Sequence, residues 1–138
     1  MIKKSPSVSV DIIILKNNKI LLVKLGNKWS DNGKYEWGLP GREIEIGDTF
    51  EKACIKNLKE ETDMQLKNFK VICVNNNFAL GNHYISIGIL AEAEGEPKVN
   101  NPEDWKLWKW FDAKNMPDKL FPPADLTIKC FLNNKITC

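Results

Sequence analysis

The sequence has a single histidine and a single arginine, and these two scarcities limit the chemistry open to it. His83 is the only histidine among 138 residues, so a nucleophilic serine or cysteine has one possible partner base. Arg42 is the only arginine, which leaves nineteen lysines among the 20 basic residues. With 18 acidic residues, the formal net charge is only +2. A near-neutral chain without a basic stripe argues against a nucleic-acid partner.

Long apolar runs and zinc-type cysteine spacings are also absent. No segment approaches the roughly 20 apolar residues of a membrane span, so no membrane partner is expected. Residues 1–6 contain two lysines but no apolar stretch followed by a small-residue cleavage site, so no signal peptide is expected. The four cysteines show no CxxC spacing, which favours free thiols in a reducing, cytoplasmic setting. They are Cys54, Cys73, Cys130 and Cys138.

What is present is an ordinary globular composition. Hydrophobic residues make up 43% of the chain and charged residues 28%, which excludes a disordered tail, a collagen-like repeat or a coiled coil. A length of 138 residues corresponds to one domain that needs neither metal nor disulfide to fold. We therefore expect a single domain over residues 1–138.

The order of apolar segments predicts a mixed α/β domain. Strands are predicted over residues 7–15, 20–25, 36–39, 69–74, 84–91 and 105–111, and helices over residues 49–62 and 124–132. Asn17 and Asn18 suit a tight turn, so the first two strands should form a hairpin. Residues 26–34 are expected to form a polar loop around Trp29, and residues 80–82 to lie near a turn.

The helix over residues 49–62 has the strongest local signals. Asp48 or Thr49 can cap its first turn, where the helix dipole also favours the carboxylate of Glu51. Four apolar residues recur at helical spacing and should face the core: Phe50, Ala53, Cys54 and Leu58.

A loop that contains glycine and proline runs into this helix and suits a phosphate group. Residues 38–48 read GLPGREIEIGD, and a helix N-terminus after such a loop favours anions. On the helix, Asn57, Glu60 and Glu61 are three and four residues apart and share one face. Carboxylate oxygens, with water and phosphate oxygens, are the ligands that Mg²⁺ prefers. The combination predicts cleavage of a phosphoanhydride, with the metal activating water.

Each of these features alone also has a common structural explanation. Adjacent glutamates on a helix are usually solvated, and loops rich in glycine and proline are frequent. His83 is better explained as a strand residue near the cleft than as a base. Most of the five tryptophans should pack in the core, with Trp108 and Trp110 on one face of their strand. Trp29 is the candidate for the rim of the cleft.

Together, in this order, the residues resemble the Nudix (MutT-like) hydrolase family. The family's motif runs Gly, five residues, Glu, seven residues, Arg-Glu, an apolar residue, any residue, Glu-Glu, any residue, Gly and an apolar residue; here it falls on residues 42–64. Residues 37–41 resemble the approach to the motif, and residues 108–123 resemble the C-terminal part of a small nucleotide-diphosphatase branch. The resemblance implies an α/β/α sandwich around a mixed β-sheet and, from the habit of this branch, a homodimer.

The motif is degenerate in this chain. Leu58, Glu60 and Glu61 match it, whereas Arg42, Asp48, Lys56, Asn57 and Asp63 depart from it. In the family an arginine at position 56 holds a motif carboxylate in place, and lysine supplies the charge without the planar fork. Asn57 stands at a principal metal ligand and lacks its negative charge. Asp63 is tolerable at a helix end because aspartate can adopt the left-handed conformation.

The resemblance implies a role for each candidate site residue. Catalysis is assigned to Glu60, Glu61, Lys56 and Asn57, a Mg²⁺ or Mn²⁺ site to Glu60, Glu61 and Asn57, and substrate binding to Gly41, Arg42 and Trp29. Arg42 either points at phosphates, for which arginine is well suited, or lies on the surface without a role. Glu103 and Asp104 lie where family members often supply a late acidic group.

Three functions follow from this resemblance. The first is a metal-dependent nucleoside-triphosphate pyrophosphohydrolase that releases a nucleoside monophosphate and pyrophosphate. The second is a Nudix-fold protein that binds a nucleotide with weak or no hydrolysis, because Asn57 replaces the glutamate. The third is a hydrolase of another nucleoside-diphosphate-linked compound. In each case the partner is a nucleotide-like small molecule.

Overall fold

The computed structural model describes residues 5–138, and residues 1–4, on which part of the signal-peptide prediction rests, lie outside the described range. The elements are β1 (Ser7–Lys16), β2 (Lys19–Leu25), α1 (Asn27–Ser30), β3 (Trp37–Gly38), β4 (Gly41–Glu43), α2 (Phe50–Thr62), β5 (Gln65–Asn77), β6 (Tyr84–Glu94), β7 (Trp105–Asp112) and α3 (Pro122–Asn133). A short 3-10 turn, Ala79–Gly81, joins β5 to β6. No helix in residues 5–138 is long and apolar enough to cross a membrane.

The strands of the described range form one seven-stranded mixed sheet. Its main path runs β3-β2-β1-β6-β5, while β4 pairs with β1 and β7 pairs with β2. β1 and β6 run parallel, and the other pairs are antiparallel. β5 lies at one end of the path, where the Ile136 carbonyl accepts a hydrogen bond from the Val74 N–H at 2.7 Å. Beside it, the Cys138 N–H donates to Asn75 Oδ1 at 2.6 Å.

The two long helices cover opposite faces of the sheet. Successive residues of a strand point to opposite sides, so β1 contributes side chains to the core on both faces. Ala53, Cys54 and Leu58 of α2 pack in one apolar cluster with Val10 and Ile12 of β1. Ala124 and Ile128 of α3 pack in a second cluster that contains Ile13. The predicted α/β/α sandwich around a mixed sheet is thereby confirmed.

The hairpin of β1 and β2 separates soon after its turn. Asn17 and Asn18 have positive φ, as the predicted turn requires, but the two strands pair directly only at Leu15–Ile20 and Lys16–Lys19. Beyond that point β3 pairs with β2 and β4 pairs with β1. The segment that contains β3 and β4 therefore lies between the diverging strands and carries the loop of the motif into the middle of the fold.

Several local predictions need correction. Phe50 is 41% exposed and does not belong to the core, because it is the first residue of α2 and has no preceding helical turn to cover. Within residues 26–34, the Gly26 carbonyl accepts hydrogen bonds from the N–H groups of Trp29 and Ser30, so a short helix replaces part of the loop. β3 is shorter than predicted, and β5 is longer at both ends because β6 pairs with it from Gln65 to Asn77. β4 was not predicted.

Candidate active site

Gly41 places the loop of the motif directly on β1. It pairs with Asp11, and a Cβ atom at position 41 would lie only 2.7 Å from the Val10 carbonyl oxygen. Such a contact is too close for any side chain, so glycine is required where β4 pairs with β1. Without a side chain at position 41, the main chain of the loop can be contacted by side chains of α2.

α2 is fixed at both ends by its own sequence. Thr49 Oγ1 accepts a hydrogen bond from the Lys52 N–H at 3.1 Å, which confirms one of the two predicted caps. Asp63 adopts the left-handed conformation with φ 60°, as expected for an aspartate in place of the closing glycine. These caps set the helix phase and so direct Asn57, Glu60 and Glu61 toward the loop.

Asn57 is buried and joins α2 to the loop. Only 1% of it is exposed, and its Nδ2 donates a hydrogen bond to the Gly41 carbonyl at 2.9 Å. Its Oδ1 is buried and has no hydrogen-bond partner among the described residues. A buried amide oxygen without a partner costs free energy, so this oxygen is available to an incoming donor or cation.

Glu61 lies one helical turn from Asn57 and is also largely enclosed. Burial raises the pKa of its carboxyl to about 8, against hydrogen bonds from Asn57 and the Gly41 backbone and the nearby charge of Arg42, which lower it. Its Oε2 is buried without a partner among residues 5–138. Two adjacent side chains thus present oxygens with unused acceptor capacity.

Arg42 bridges the loop and the helix. Its guanidinium donates to Glu45 Oε1 at 2.7 Å and to Glu60 Oε2 at 3.1 Å. The Arg42 side chain is 20% exposed, whereas those of Glu45 and Glu60 are 60% and 65% exposed. Arg42 therefore pairs with two motif carboxylates, and its role in substrate binding stays a prediction.

Asp48 forms ion pairs with Lys56 and, at 3.8 Å, with Lys52. The pair with Lys56 is the shorter one. The Lys56 Nζ donates to Asp48 Oδ1 at 2.8 Å, and the Asp48 side chain is only 2% exposed. This hydrogen bond holds the pKa of Asp48 below and that of Lys56 above its usual value. Lysine and aspartate together therefore form the contact that orients the loop against α2.

A cavity of about 120 Å³ opens where β1 and β2 diverge. A water molecule needs roughly 10–15 Å³ by this kind of measure, so the cavity has room for a planar ring. Its wall is mainly apolar and includes four aromatic residues, Trp29, Tyr84, Trp105 and Phe121. Trp29 and Trp105 stack with ring centroids 5.8 Å apart, which places Trp29 at the predicted rim. Because Arg42 also lines the cavity, the cavity adjoins the carboxylates of α2.

Other sequence candidates lie apart from this cluster. His83 stacks on Phe78 with centroids 4.6 Å apart and contacts none of the motif carboxylates. Asp104 accepts a hydrogen bond from Asn101 at 3.0 Å, and its carbonyl accepts one from the Gly26 N–H. Glu103 packs its backbone against Gly26. These two acids therefore support the loop of Trp29.

The sequence reasoning missed two acidic residues of the site and three aromatic residues of the cavity wall, Tyr84, Trp105 and Phe121. Asp11 lines the cavity, and Glu45 is the second partner of Arg42. The signal for Asp11 was available, because a carboxylate in the middle of a β-branched strand is unusual unless it faces a cleft. Nothing in the sequence pattern indicated the contact of Arg42 with Glu45.

Comparison with known proteins identifies the architecture. The sequence model of the NUDIX domain matches residues 5–130. The chain belongs to the Nudix hydrolase family. The predicted class, a hydrolase of pyrophosphate bonds with MutT-like relatives, is therefore confirmed at the level of the family.

Named relatives of this Nudix chain include two pyrophosphate-cleaving enzymes. The ADP-ribose pyrophosphatase of Methanocaldococcus jannaschii is 34% identical over 118 residues, covering 84% of this chain and 68% of that protein. The 8-oxo-dGTP diphosphatase of Escherichia coli strain K12 is 27% identical over 126 residues, covering 88% and 92%. The crystal structure of a MutT NUDIX hydrolase from Burkholderia pseudomallei matches with a TM-score of 0.78 at 25% identity, covering 91% and 98%.

Nudix hydrolases generally depend on a divalent metal, and the donor atoms of this chain fit one in part. Asn57 Oδ1 and Glu61 Oε2 are oxygens with unused acceptor capacity, which is the donor type that Mg²⁺ takes. Against this, Arg42 holds Glu60, and no three His, Cys, Asp or Glu side chains in the described range are grouped to hold an ion. A metal here would rely on Asn57, Glu61 and released Glu60, completed by phosphate oxygens.

Proposed function

We propose that this Nudix protein is a Mg²⁺- or Mn²⁺-dependent nucleoside-triphosphate pyrophosphohydrolase. The observation that carries the proposal is a pair of buried oxygens, Asn57 Oδ1 and Glu61 Oε2, that have no hydrogen-bond partner among residues 5–138. Arg42, whose charge acts on Glu61, also lines the cavity, so these oxygens lie close to it. A triphosphate bound here would have its base in the cavity and its phosphates beside Arg42. The name of the E. coli relative, 8-oxo-dGTP diphosphatase, supports a triphosphate as substrate.

Each site residue has a separate role in the proposed hydrolysis. Glu61, Asn57 and Glu60 would hold the metal, which when bound polarises a phosphorus and acidifies water. Glu60 would serve either as this metal ligand or as the base that accepts a proton from the attacking water. The oxygen of that water bonds to one phosphorus of the α–β anhydride as the bridging P–O bond breaks. Arg42 would leave Glu60 and bind phosphate oxygens of the substrate. Lys56 would hold the loop in place through its ion pair with Asp48. The products are a nucleoside monophosphate and pyrophosphate.

A substrate panel tests this proposal. Wild type and Asn57→Glu are incubated with nucleoside triphosphates, nucleoside diphosphate sugars and dinucleotides with Mg²⁺ or Mn²⁺, and pyrophosphate and phosphate are quantified separately. Pyrophosphate from wild type with a triphosphate, lost without metal, is the expected result. Lys59→Gln, a charge change at an exposed position of α2, serves as the matched control. Turnover of only the other two substrate classes would overturn the triphosphate assignment.

A nucleotide-binding protein with little hydrolysis is the second candidate, and two contacts favour it. The Asn57 amide is bonded to Gly41, and Arg42 neutralises Glu60, so much of the site is satisfied without a metal. This function predicts thermal stabilisation by nucleotides without product. It also predicts that Asn57→Glu gains turnover that wild type lacks.

Hydrolysis of another nucleoside-diphosphate-linked compound is the third candidate. It is supported by the M. jannaschii relative, whose name is ADP-ribose pyrophosphatase. In the panel, this function would give a nucleoside monophosphate without free pyrophosphate. A homodimer, a cytoplasmic location and one domain over residues 1–138 stay predictions from the sequence.

A further inference from the structure

Asp11 is a buried carboxyl group for which the proposed hydrolysis has no use. It lies on β1 next to Ile12 and Ile13, which are fully buried, and is itself only 7% exposed. Burial raises the pKa of its carboxyl to about 6, although hydrogen bonds from Ser86 and Ser9 oppose that rise. No ion-pair partner of Asp11 lies among the described residues. A lone buried carboxyl of this kind is costly unless it serves a ligand.

Neutral groups hold Asp11 from behind. Ser9 Oγ donates to Asp11 Oδ2 at 3.2 Å, and the Ser9 and Ser86 hydroxyls are 3.4 Å apart. Asn77 Nδ2 in turn donates to Ser86 Oγ at 3.2 Å. A chain of buried hydroxyl and amide groups therefore fixes the carboxyl in one orientation without neutralising it.

In front of Asp11 lies the apolar cavity. Trp29 and Trp105 form a stacked wall, and Tyr84 and Phe121 add further ring surface. Such walls suit a planar ring, whereas a carboxylate at the cavity lining suits hydrogen-bond donors on the edge of that ring. Arg42 lines the same cavity at the side of the α2 carboxylates, so a ring in the cavity would carry its phosphates toward Glu60.

We propose that Asp11 determines base specificity by accepting two adjacent N–H donors from the ring edge of a nucleotide, the edge that guanine presents. This inference rests on the proposed binding of a nucleotide in the cavity. A carboxylate accepts but does not donate, so guanine N1–H and N2–H both find an acceptor. Adenine and cytosine would place a ring nitrogen acceptor against the same oxygens, and uracil offers only one N–H.

Binding of nucleoside monophosphates tests the inference without hydrolysis. Dissociation constants of GMP, IMP and AMP are measured by calorimetry at pH 7.5 for wild type and Asp11→Asn. IMP lacks only the N2 amino group, so it removes one donor without any change in the protein. We expect GMP to bind wild type about tenfold more tightly than AMP, with IMP between them, as for one well-placed pair of hydrogen bonds.

Asp11→Asn replaces one acceptor with a donor and should reverse the preference between GMP and AMP. Glu94→Gln, which removes an exposed charge at the end of β6, is the matched control. It should leave the ratio of the dissociation constants of AMP and GMP unchanged. An unchanged ratio in Asp11→Asn, or equal binding of GMP and IMP by wild type, would overturn the role of Asp11. The wild-type comparison needs no variant, so misfolding of Asp11→Asn leaves the inference testable.

The outcome is separable from that of the proposed hydrolysis. GMP preference without pyrophosphate release in the panel would leave Asp11 as a base-reading residue in a binding protein. Pyrophosphate release without any preference among the three monophosphates would retain the enzyme and refute the role of Asp11.

Discussion

Gly41 lies between two buried carboxyl groups whose surroundings differ. On the α2 side, Glu61 takes a hydrogen bond from the Gly41 backbone and has Arg42 and Glu60 as charged neighbours. On the cavity side, a Cβ at position 41 would lie 3.0 Å from Asp11 Oδ1, and the neighbours of Asp11 are hydroxyl groups. Burial raises the pKa of both acids. The difference indicates that one carboxyl is arranged for ions and the other for neutral donors.

Removal of charge on the α2 side should have the largest effect. Glu61→Gln preserves size and the hydrogen bond from Gly41 but removes the negative charge that a metal requires. We expect kcat to fall about 10²–10³-fold, as for loss of one preorganised electrostatic group. Steady-state rates with the substrate found in the panel give the measurement, and Glu94→Gln is the control. Retention of more than a tenth of the wild-type rate would move the metal away from Glu61.

The pH dependence of the free energy of unfolding should further distinguish Glu61 from Asp11. A carboxyl with a raised pKa holds its proton more tightly in the folded state, so stability falls as pH rises through this interval. For Glu61 the interval runs from its usual 4.5 to about 8, and for Asp11 from 3.8 to about 6. At pH 9, the free energy of unfolding of Glu61→Gln should therefore exceed that of wild type, by up to about 5 kcal/mol.

Urea unfolding of metal-free protein with a chelator, at pH 5 and pH 9, measures this difference. The advantage of Glu61→Gln should shrink at pH 5, where wild-type Glu61 is protonated in the folded state. An equal effect at both pH values would show that the variant acts through packing.

Arg42→Gln should give the smallest effect of the three. An exposed ion pair contributes little, so release of Glu60 from Arg42 should tighten Mn²⁺ binding only about threefold. Electron paramagnetic resonance of free Mn²⁺ measures the affinity without substrate. Lys67→Gln removes an exposed charge on β5, away from Glu60 and Asp48, and should leave the affinity unchanged. Weaker Mn²⁺ binding in Arg42→Gln would refute competition between arginine and metal.

The sequence was sufficient for features that depend on near neighbours. The cap at Thr49, the left-handed Asp63 and the turn at Asn17 and Asn18 were all predicted, because each is determined within a few residues. The fold class followed from the order of the segments and from the family resemblance. Phe50 is one local prediction that was wrong, because periodicity alone does not show that the first residue of a helix has no preceding turn to cover.

The site was less accessible to prediction because its contacts join distant parts of the chain. Arg42 meets Glu60 across 18 residues, and Trp29 stacks on Trp105 across many more. Whether an amide such as Asn57 is buried with a partnerless oxygen depends on where β4 pairs with β1, and β4 itself was not predicted. Asp11 could be recognised as a candidate ligand-binding residue only from its position in the cavity wall.

The last residues of the chain have a consequence for behaviour at high concentration. An edge strand presents unpaired N–H and C=O groups on which another molecule can add a strand. Because Ile136 pairs with Val74 and Cys138 with the Asn75 side chain, residues 136–138 occupy part of the free edge of β5. Residues 136–138 therefore hinder the addition of a strand from another molecule to this edge. Their removal should expose the edge of β5 and favour aggregation.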